Sequence, residues 1–180
     1  APKRLVFPEG DDLRILKACA ILVDEAIARP ILCGKEDVIR GLIKEHDIEM
    51  DEAGYDIVDP SQDPRSERYA IIFHERRQRK GVELPDARRL MRKPNYFGMM
   101  MVQQGDADGV VSGIRSSYPI TIRPALQTIG LRPGVRRLAG MYLLMHRSGM
   151  RFFADTTVNT EMDAQALADI AEIVSDSVRD

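Results

Sequence analysis

Short apolar runs alternate with segments of helical periodicity along the first part of the chain. The runs RLVF, PILC and DIVD occupy residues 4–7, 30–33 and 56–59. Between them, apolar residues recur every three or four positions, which is typical of a helix with one buried face. Connections of a few residues join the segments. The pattern predicts an α/β fold in which helices cover both faces of a parallel sheet, giving three layers.

The rest of the chain is predicted to contain more helix, one further buried strand and a late pair of strands. Helices are expected at 84–93, 96–104 and 118–128, the buried strand at 107–113, and the strand pair at 138–145 and 150–155. For 96–104 a strand is the alternative, and the helix at 118–128 should kink or restart at Pro124. A closing helix is expected after Thr160. Its inward-facing stripe should be Leu167, Ala171, Val174 and Val178.

The closing helix reaches Asp180 without a glycine or proline stop, so we expect the chain to be cut within an unfinished lobe. We place a first lobe at 1–136 and the start of a second, truncated lobe at 137–180. No repeat or low-complexity linker separates independent domains.

Charge and cysteine content argue against several classes of partner. Lys and Arg number 26 and Asp and Glu number 28, so no global charge attracts nucleic acid or an anionic membrane. No apolar run is long enough to cross a bilayer. Cys19 and Cys33 lie in apolar segments without metal-ligand spacing, which indicates core thiols in a reducing, cytoplasmic compartment. The histidines are scattered, so no metal site is expected.

A loop of small and hydroxylated residues follows the predicted strand at 107–113. In open α/β folds the carboxyl end of a parallel strand is where ligands bind, and small residues leave backbone N–H groups accessible there. Arg123 lies in the first turns of the next helix, where its guanidinium could reach the same anion. An ordinary surface loop is the alternative. The candidate phosphate-binding residues here are Ser112, Gly113, Ser116, Ser117 and Arg123.

Two further charged segments bear on where an anion could bind. Residues 75–93 hold eight bases and three acids, and some of these bases, Arg77 among them, could border an anion pocket rather than form a solvated helix face. PEGDD follows the first strand at the position of a phosphate loop, but its acids would repel phosphate. Glu9, Asp11 and Asp12 are therefore predicted to stabilise the positive end of the following helix.

Several motifs together resemble the phosphotransacetylase family. They are KRLVFPEGDDLRILKA at 3–18, ERRQRKG at 75–81, GDADGVVSG at 105–113, IRPALQ at 122–127 and FFADTTVN at 152–159. The resemblance implies a phosphotransacetylase or isocitrate dehydrogenase-like fold and a dimer or higher homo-oligomer. In that family an acetyl group moves between phosphate and coenzyme A. Arg77 and Arg123 match two arginines that contact the phosphoryl or coenzyme A moiety.

The chain also departs from the family pattern. Ser116 and Ile120 stand where the enzymes carry a histidine and an acid, and the turn HRSG at 146–149 lacks a cysteine-containing insertion. The serine, arginine and aspartate that activate the thiol in the family would lie beyond Asp180. No catalytic set is therefore assigned within the chain.

With these departures, the chain is more similar to the phosphotransacetylase-like C-terminal domain of bacterial NADP-dependent malic enzymes. That resemblance implies a regulatory domain that senses acetyl-CoA, with malic-enzyme domains, NADP and a divalent metal in the parent and no cofactor in this part. A fragment of a true phosphate acetyltransferase is the first alternative. An oligomerisation domain without a ligand is the second.

Overall fold

The computed structural model describes residues 2–155 and 157–179. Its residues cluster into two compact units, Ala1–Gly130 and Leu131–Asp180. The lobes expected at 1–136 and 137–180 stay a prediction about domain organisation.

The first unit contains a four-stranded parallel sheet. Its strands are β1 (Lys3–Phe7), β2 (Ala28–Cys33), β3 (Asp56–Val58) and β4 (Gly109–Val110), in the order β3-β2-β1-β4. Val6 of β1 pairs with Ile31 on one side and with Val110 on the other. The chain thus builds outward from β1 through β2 to β3 and then returns to the opposite side of β1. A crevice at such a reversal is where open α/β sheets bind ligands.

Six α-helices accompany this sheet in the described part of the first unit. They are α1 (Leu13–Asp24), α2 (Glu36–Glu45), α3 (Arg65–Arg77), α4 (Leu84–Met91), α5 (Pro94–Gln103) and α6 (Tyr118–Thr128). Single 3₁₀ turns lie at Glu52–Gly54 and Gln78–Lys80. The helix predicted at 96–104 is confirmed, and α6 continues through Pro124 without restarting.

Alternate side chains of the strands point into two separate cores. Val6 and Ile31 belong to one core, whereas Phe7 and Leu32 belong to the other. This alternation follows from the two-residue period of a strand and places a helical layer against each face of the sheet. Helices α3, α4 and α5 supply the first core, and α1 and α2 supply the second. The predicted three-layer α/β fold is confirmed.

The two cysteines lie in opposite cores. Cys33 packs with Val6, and Cys19 packs with Phe7; both thiols are free and buried. Burial raises the pKa of each thiol to about 12, so both are protonated and unreactive near neutral pH. The prediction of core thiols is confirmed.

The second unit consists of a hairpin and a helix. Strands β5 (Met141–His146) and β6 (Gly149–Ala154) pair antiparallel, and every residue of both strands is exposed. Helix α7 (Ala164–Arg179) is capped by Asp163, whose carboxylate accepts the N–H of Ala166 at 2.6 Å. Its buried residues are Ala166 and Ile170, whereas Leu167 of the predicted stripe is exposed. Among the helices of residues 2–155 and 157–179, none has the length and apolar composition needed to span a bilayer.

Candidate functional site

A buried carboxylate lies at the sheet reversal, between the ends of β1 and β4. Glu9 follows β1 by two residues, and only 5% of it is exposed. Its two carboxylate oxygens accept hydrogen bonds from four consecutive backbone N–H groups of the serine loop, which we define as residues 112–117. The donors are Gly113 at 2.9 Å, Ile114 at 3.1 Å, Arg115 at 2.8 Å and Ser116 at 2.9 Å.

The hydrogen bonds keep Glu9 ionised. Burial by itself raises the pKa of a carboxyl group, but the N–H donors of Arg115, Gly113 and Ile114 outweigh burial and lower the pKa of Glu9 to about 2. Glu9 forms no ion pair with a lysine or arginine of residues 2–155 and 157–179. The positive ends of the backbone dipoles therefore provide its stabilisation.

This arrangement corrects the predicted role of PEGDD. Asp12 does cap α1, accepting the N–H of Arg14 at 3.0 Å, as expected for an acid at a helix N-terminus. Glu9, in contrast, reaches across the sheet edge to the serine loop. Arg115 pairs with Asp11 and lies 3.7 Å from Asp12, so its charge is also satisfied internally.

The backbone N–H groups expected to be open to a phosphate are therefore engaged by the chain itself. Gly113 and Ser116 both donate to Glu9, and the hydroxyl of Ser112 donates to Asn95 Oδ1 at 2.9 Å. Ser117 is exposed at the start of α6, and its side chain forms no cap bond with the helix. A role of these residues in ligand binding stays a prediction, but free backbone donors are no longer its basis.

Arg77 and Arg123 both lie close in sequence to residues that contact Tyr96. Phe73 packs edge-on against Tyr96 of α5, with ring centroids 5.8 Å apart, and Arg77 follows Phe73 by one helical turn of α3. On α6, Gln127 accepts a hydrogen bond from the Tyr96 hydroxyl at 2.7 Å. Burial raises the pKa of Tyr96, and the positive charges of Arg123 and Arg77 oppose that rise. Arg123 precedes Gln127 by one turn of α6, so each arginine lies one helical turn from a residue that contacts Tyr96.

Neither of these guanidinium groups has an anionic partner in the part of the chain that the structure describes. Arg77 is half-buried at the end of α3, and its Nε is buried without a hydrogen-bond partner. Arg123 is exposed on α6 and forms no ion pair. Several other arginines of the same unit are paired, as Arg88 is with Glu67 at 2.6 Å. Three more arginines also form no ion pair among the described residues: Arg76, Arg79 and Arg92. These three are exposed, whereas Arg77 is half-buried. A half-buried cation without a partner is costly unless an anion binds to it.

A cleft lies at the other edge of the sheet, beside β3. It has a volume of about 740 Å³ and adjoins the end of β3 and the start of α2. Its wall carries four acids and two bases, and some of them are paired: Arg40 contacts Glu36 at 2.7 Å and Asp63 contacts Arg65 at 2.8 Å. Because acids outnumber bases on this wall, and because the cleft is away from the sheet reversal, we do not place the anion site there.

Sequence reasoning missed Glu9, Asn95, Tyr96 and Gln127 as parts of this region. The sequence signal for Glu9 is its position between a proline and a glycine, directly after a buried strand. The negative charge of Glu9 predicts repulsion of phosphate but does not indicate that backbone N–H groups bind it. For Tyr96, the Pro94 start of the helix indicated a helix N-terminus without showing which loop it would face.

The fold and the site together define a class of protein. It is a three-layer α/β protein in which two arginines have no anionic partner among the described residues. The chain belongs to the phosphate acetyl/butyryl transferase family: the family model described as "Phosphate acetyl/butaryl transferase" matches residues 1–180.

Similar proteins and solved structures have the same affiliation. A phosphate acetyltransferase of Nitratidesulfovibrio vulgaris is 39% identical over 176 residues, covering 98% of this chain and 25% of that protein. One of Staphylococcus epidermidis is 38% identical over 168 residues, covering 93% and 50%. A phosphotransacetylase structure from Streptococcus pyogenes superposes with a TM-score of 0.87 at 37% identity, covering 94% of this chain and 51% of that one. The EutD phosphotransacetylase of Staphylococcus aureus superposes with a TM-score of 0.82 at 33% identity, covering 93% and 50%.

These comparisons overturn the expectation of a malic-enzyme parent and of an oxidoreductase. The relatives and structures above are phosphate acetyltransferases, which was the first alternative. NADP and a divalent metal were expected only for a malic-enzyme parent, so they form no part of the function proposed below. The chain spans between a quarter and about half of the length of the relatives that it matches.

Proposed function

We propose that the protein takes part in acetyl transfer between coenzyme A and phosphate, and that the described residues bind the phosphate groups of acetyl-CoA or of the acyl acceptor. Family membership over the whole chain and the names of its relatives support this reaction. We assign the transfer itself to the complete protein, because the chain covers about half or less of its relatives' length. The binding role is assigned to the chain's own arginines.

The observation that carries the proposal is the unpartnered pair of Arg77 and Arg123, each one helical turn from a residue that contacts Tyr96. Guanidinium groups bind phosphate through two parallel hydrogen bonds, and such bonds are strong where water is partly excluded. Arg77 is half-buried and its Nε is buried, so water is partly excluded from its guanidinium. Arg123 is more exposed and can approach a ligand from solvent.

The serine loop has a different part in this proposal. Ser117 has an exposed side chain at the start of α6, six residues before Arg123, and is proposed to contact the ligand. Ser112, Gly113 and Ser116 are proposed to shape the ligand-facing edge of the site, since their described bonds run to Asn95 and Glu9.

Calorimetric titration of coenzyme A into wild-type and variant protein tests the proposal. Arg123→Ala should weaken binding by about 1.5–3 kcal/mol, or roughly 10- to 150-fold, because it removes a charge-assisted contact to phosphate. Arg76→Ala is the matched control: it removes the same charge from the exposed position next to Arg77. It should leave the affinity within about twofold, as expected for a screened surface charge.

Two results would contradict the proposal. Equal losses in Arg123→Ala and Arg76→Ala would mean that overall charge, rather than a site at Tyr96, attracts the ligand. Wild-type affinity in Arg123→Ala would place the phosphate elsewhere.

A further inference from the structure

We infer that Glu9 is a positioning residue: its carboxylate acts as a built-in anion that holds the serine loop, and through the loop helix α6, in the conformation that places Arg123 one helical turn from the hydrogen bond between Gln127 and Tyr96. The consequence for ligand affinity rests on the function proposed above. The positioning itself does not.

The location of Glu9 is the first support. The crevice between β1 and β4 is the reversal point of the sheet, where an open α/β fold would bind an external ligand. Four consecutive N–H groups converge there as they would around a bound anion. The anion in this crevice is a side chain of the same protein. In other folds a bound ligand would accept these hydrogen bonds. Here Glu9 accepts them without a ligand, so they order the loop in the free protein.

The neighbouring backbone is adapted to this contact. A Cβ on Gly10 would lie 2.8 Å from the backbone N of Cys33, so only glycine lets the turn after β1 approach β2 and hold Glu9 at the crevice. Gly113 has a φ of 118°, a conformation that glycine adopts without strain. Both ends of the contact therefore depend on glycine.

The loop transmits its position to the arginine through a short connection. Ser116 is the last donor to Glu9, and α6 begins two residues later at Tyr118, with Arg123 in its second turn. Ser112, at the start of the loop, is hydrogen-bonded to Asn95 in the first turn of α5. Helix α6 is joined to α5 again through Gln127 and Tyr96. Release of the loop would free the start of α6 while Gln127 still holds its far end, and Arg123 lies between them.

Glu9→Ala tests the inference, because it removes the carboxylate and leaves the four backbone N–H groups without their acceptor. Hydrogen–deuterium exchange should quicken at least tenfold at the amides of 113–116 and rise measurably at the first turns of α6. Coenzyme A affinity should fall at least tenfold.

Added formate is the decisive reagent: a small carboxylate can occupy the vacated place, so it should slow the exchange again and restore affinity. Glu67→Ala is the control, since Glu67 is an exposed acid on α3 paired with Arg88, and it should change none of these readouts.

Each outcome decides the inference. Unchanged exchange in the loop, or faster exchange confined to the loop with α6 and affinity unaltered, would overturn it and leave Glu9 a local structural contact. If the wild type binds no coenzyme A, the proposed function fails, and exchange in α6 with its reversal by formate still decides the positioning role. If Glu9→Ala does not fold, Glu9→Gln replaces it: faster exchange in the loop and α6 that formate does not reverse supports the inference, because the amide fills the space, and wild-type exchange overturns it.

Discussion

The serine loop and the arginine pair both offer hydrogen-bond donors to an anion, but they differ in where that anion comes from. In the loop the donors are backbone N–H groups, and the chain itself supplies the carboxylate of Glu9. Around Tyr96 the donors are the side chains of Arg77 and Arg123, and the described residues supply no anion. Sequence reasoning combined both regions into one phosphate site. The difference teaches that the capacity to bind an anion does not reveal whether the anion is part of the protein.

The two regions should therefore differ in what their groups stabilise. A buried network whose donors and acceptors are all paired contributes to the stability of the folded state. An exposed cation such as Arg123 is hydrated and contributes little to stability, so we expect its effect on binding instead. Mutations can separate these contributions.

The largest expected effect is on the free energy of unfolding. Glu9→Ala should lower it by about 3–5 kcal/mol, because four backbone donors lose a buried, charged acceptor. Arg123→Ala should change it by less than about 0.5 kcal/mol, because the side chain is exposed and unpaired. Urea denaturation of the two variants beside the wild type measures both values. Similar losses in the two variants would remove the distinction between the regions.

A somewhat smaller effect is expected in acid. The pKa of Glu9 falls from 4.5 to about 2 on folding, so its contribution is fully present above pH 4.5 and is lost as the pH drops towards 2. The corresponding free energy is about 3 kcal/mol. Glu9→Gln lacks this contribution, so the stability difference between wild type and variant should shrink by about that amount between roughly pH 5 and pH 2.

The difference in stability between wild type and Glu9→Gln separates the contribution of Glu9 from that of the other acids. Asp155, whose pKa is also lowered to about 2, is present in both proteins and cancels. A stability difference that stays constant with pH would show that the Glu9 carboxylate gains nothing from the loop.

The smallest effect is expected at Tyr96. Tyr96→Phe removes the hydrogen bond to Gln127 and should lower the free energy of unfolding by about 1 kcal/mol, while the arginines remain to bind coenzyme A with affinity close to that of the wild type. Tyr142→Phe, at an exposed hairpin position, is the matched control and should be neutral. A large loss of affinity in Tyr96→Phe would mean that the hydroxyl contacts the ligand.

The strand and helix pattern could be predicted because its causes are local. Val6 and Phe7 face opposite cores as the two-residue period of a strand requires, and Cys19 and Cys33 are buried as their apolar surroundings indicated. The predictions were wrong where packing against other parts of the chain decides which side chains are buried. On α7 the buried positions are Ala166 and Ile170 rather than the predicted stripe, because several helical faces with similar apolar content are compatible with one sequence.

By itself, the sequence determined the layered α/β architecture, the free core thiols and the identity of Arg77 and Arg123 as candidate ligands for phosphate. Only the tertiary structure decided that Glu9 binds Gly113, 104 residues further along the chain, and that Tyr96 contacts Phe73 and Gln127, each one helical turn from an arginine of the pair. Periodicity is written into neighbouring residues, because it comes from the geometry of each strand or helix. A hydrogen bond between distant residues depends on which strands become neighbours in the sheet, and that is settled when the whole chain packs.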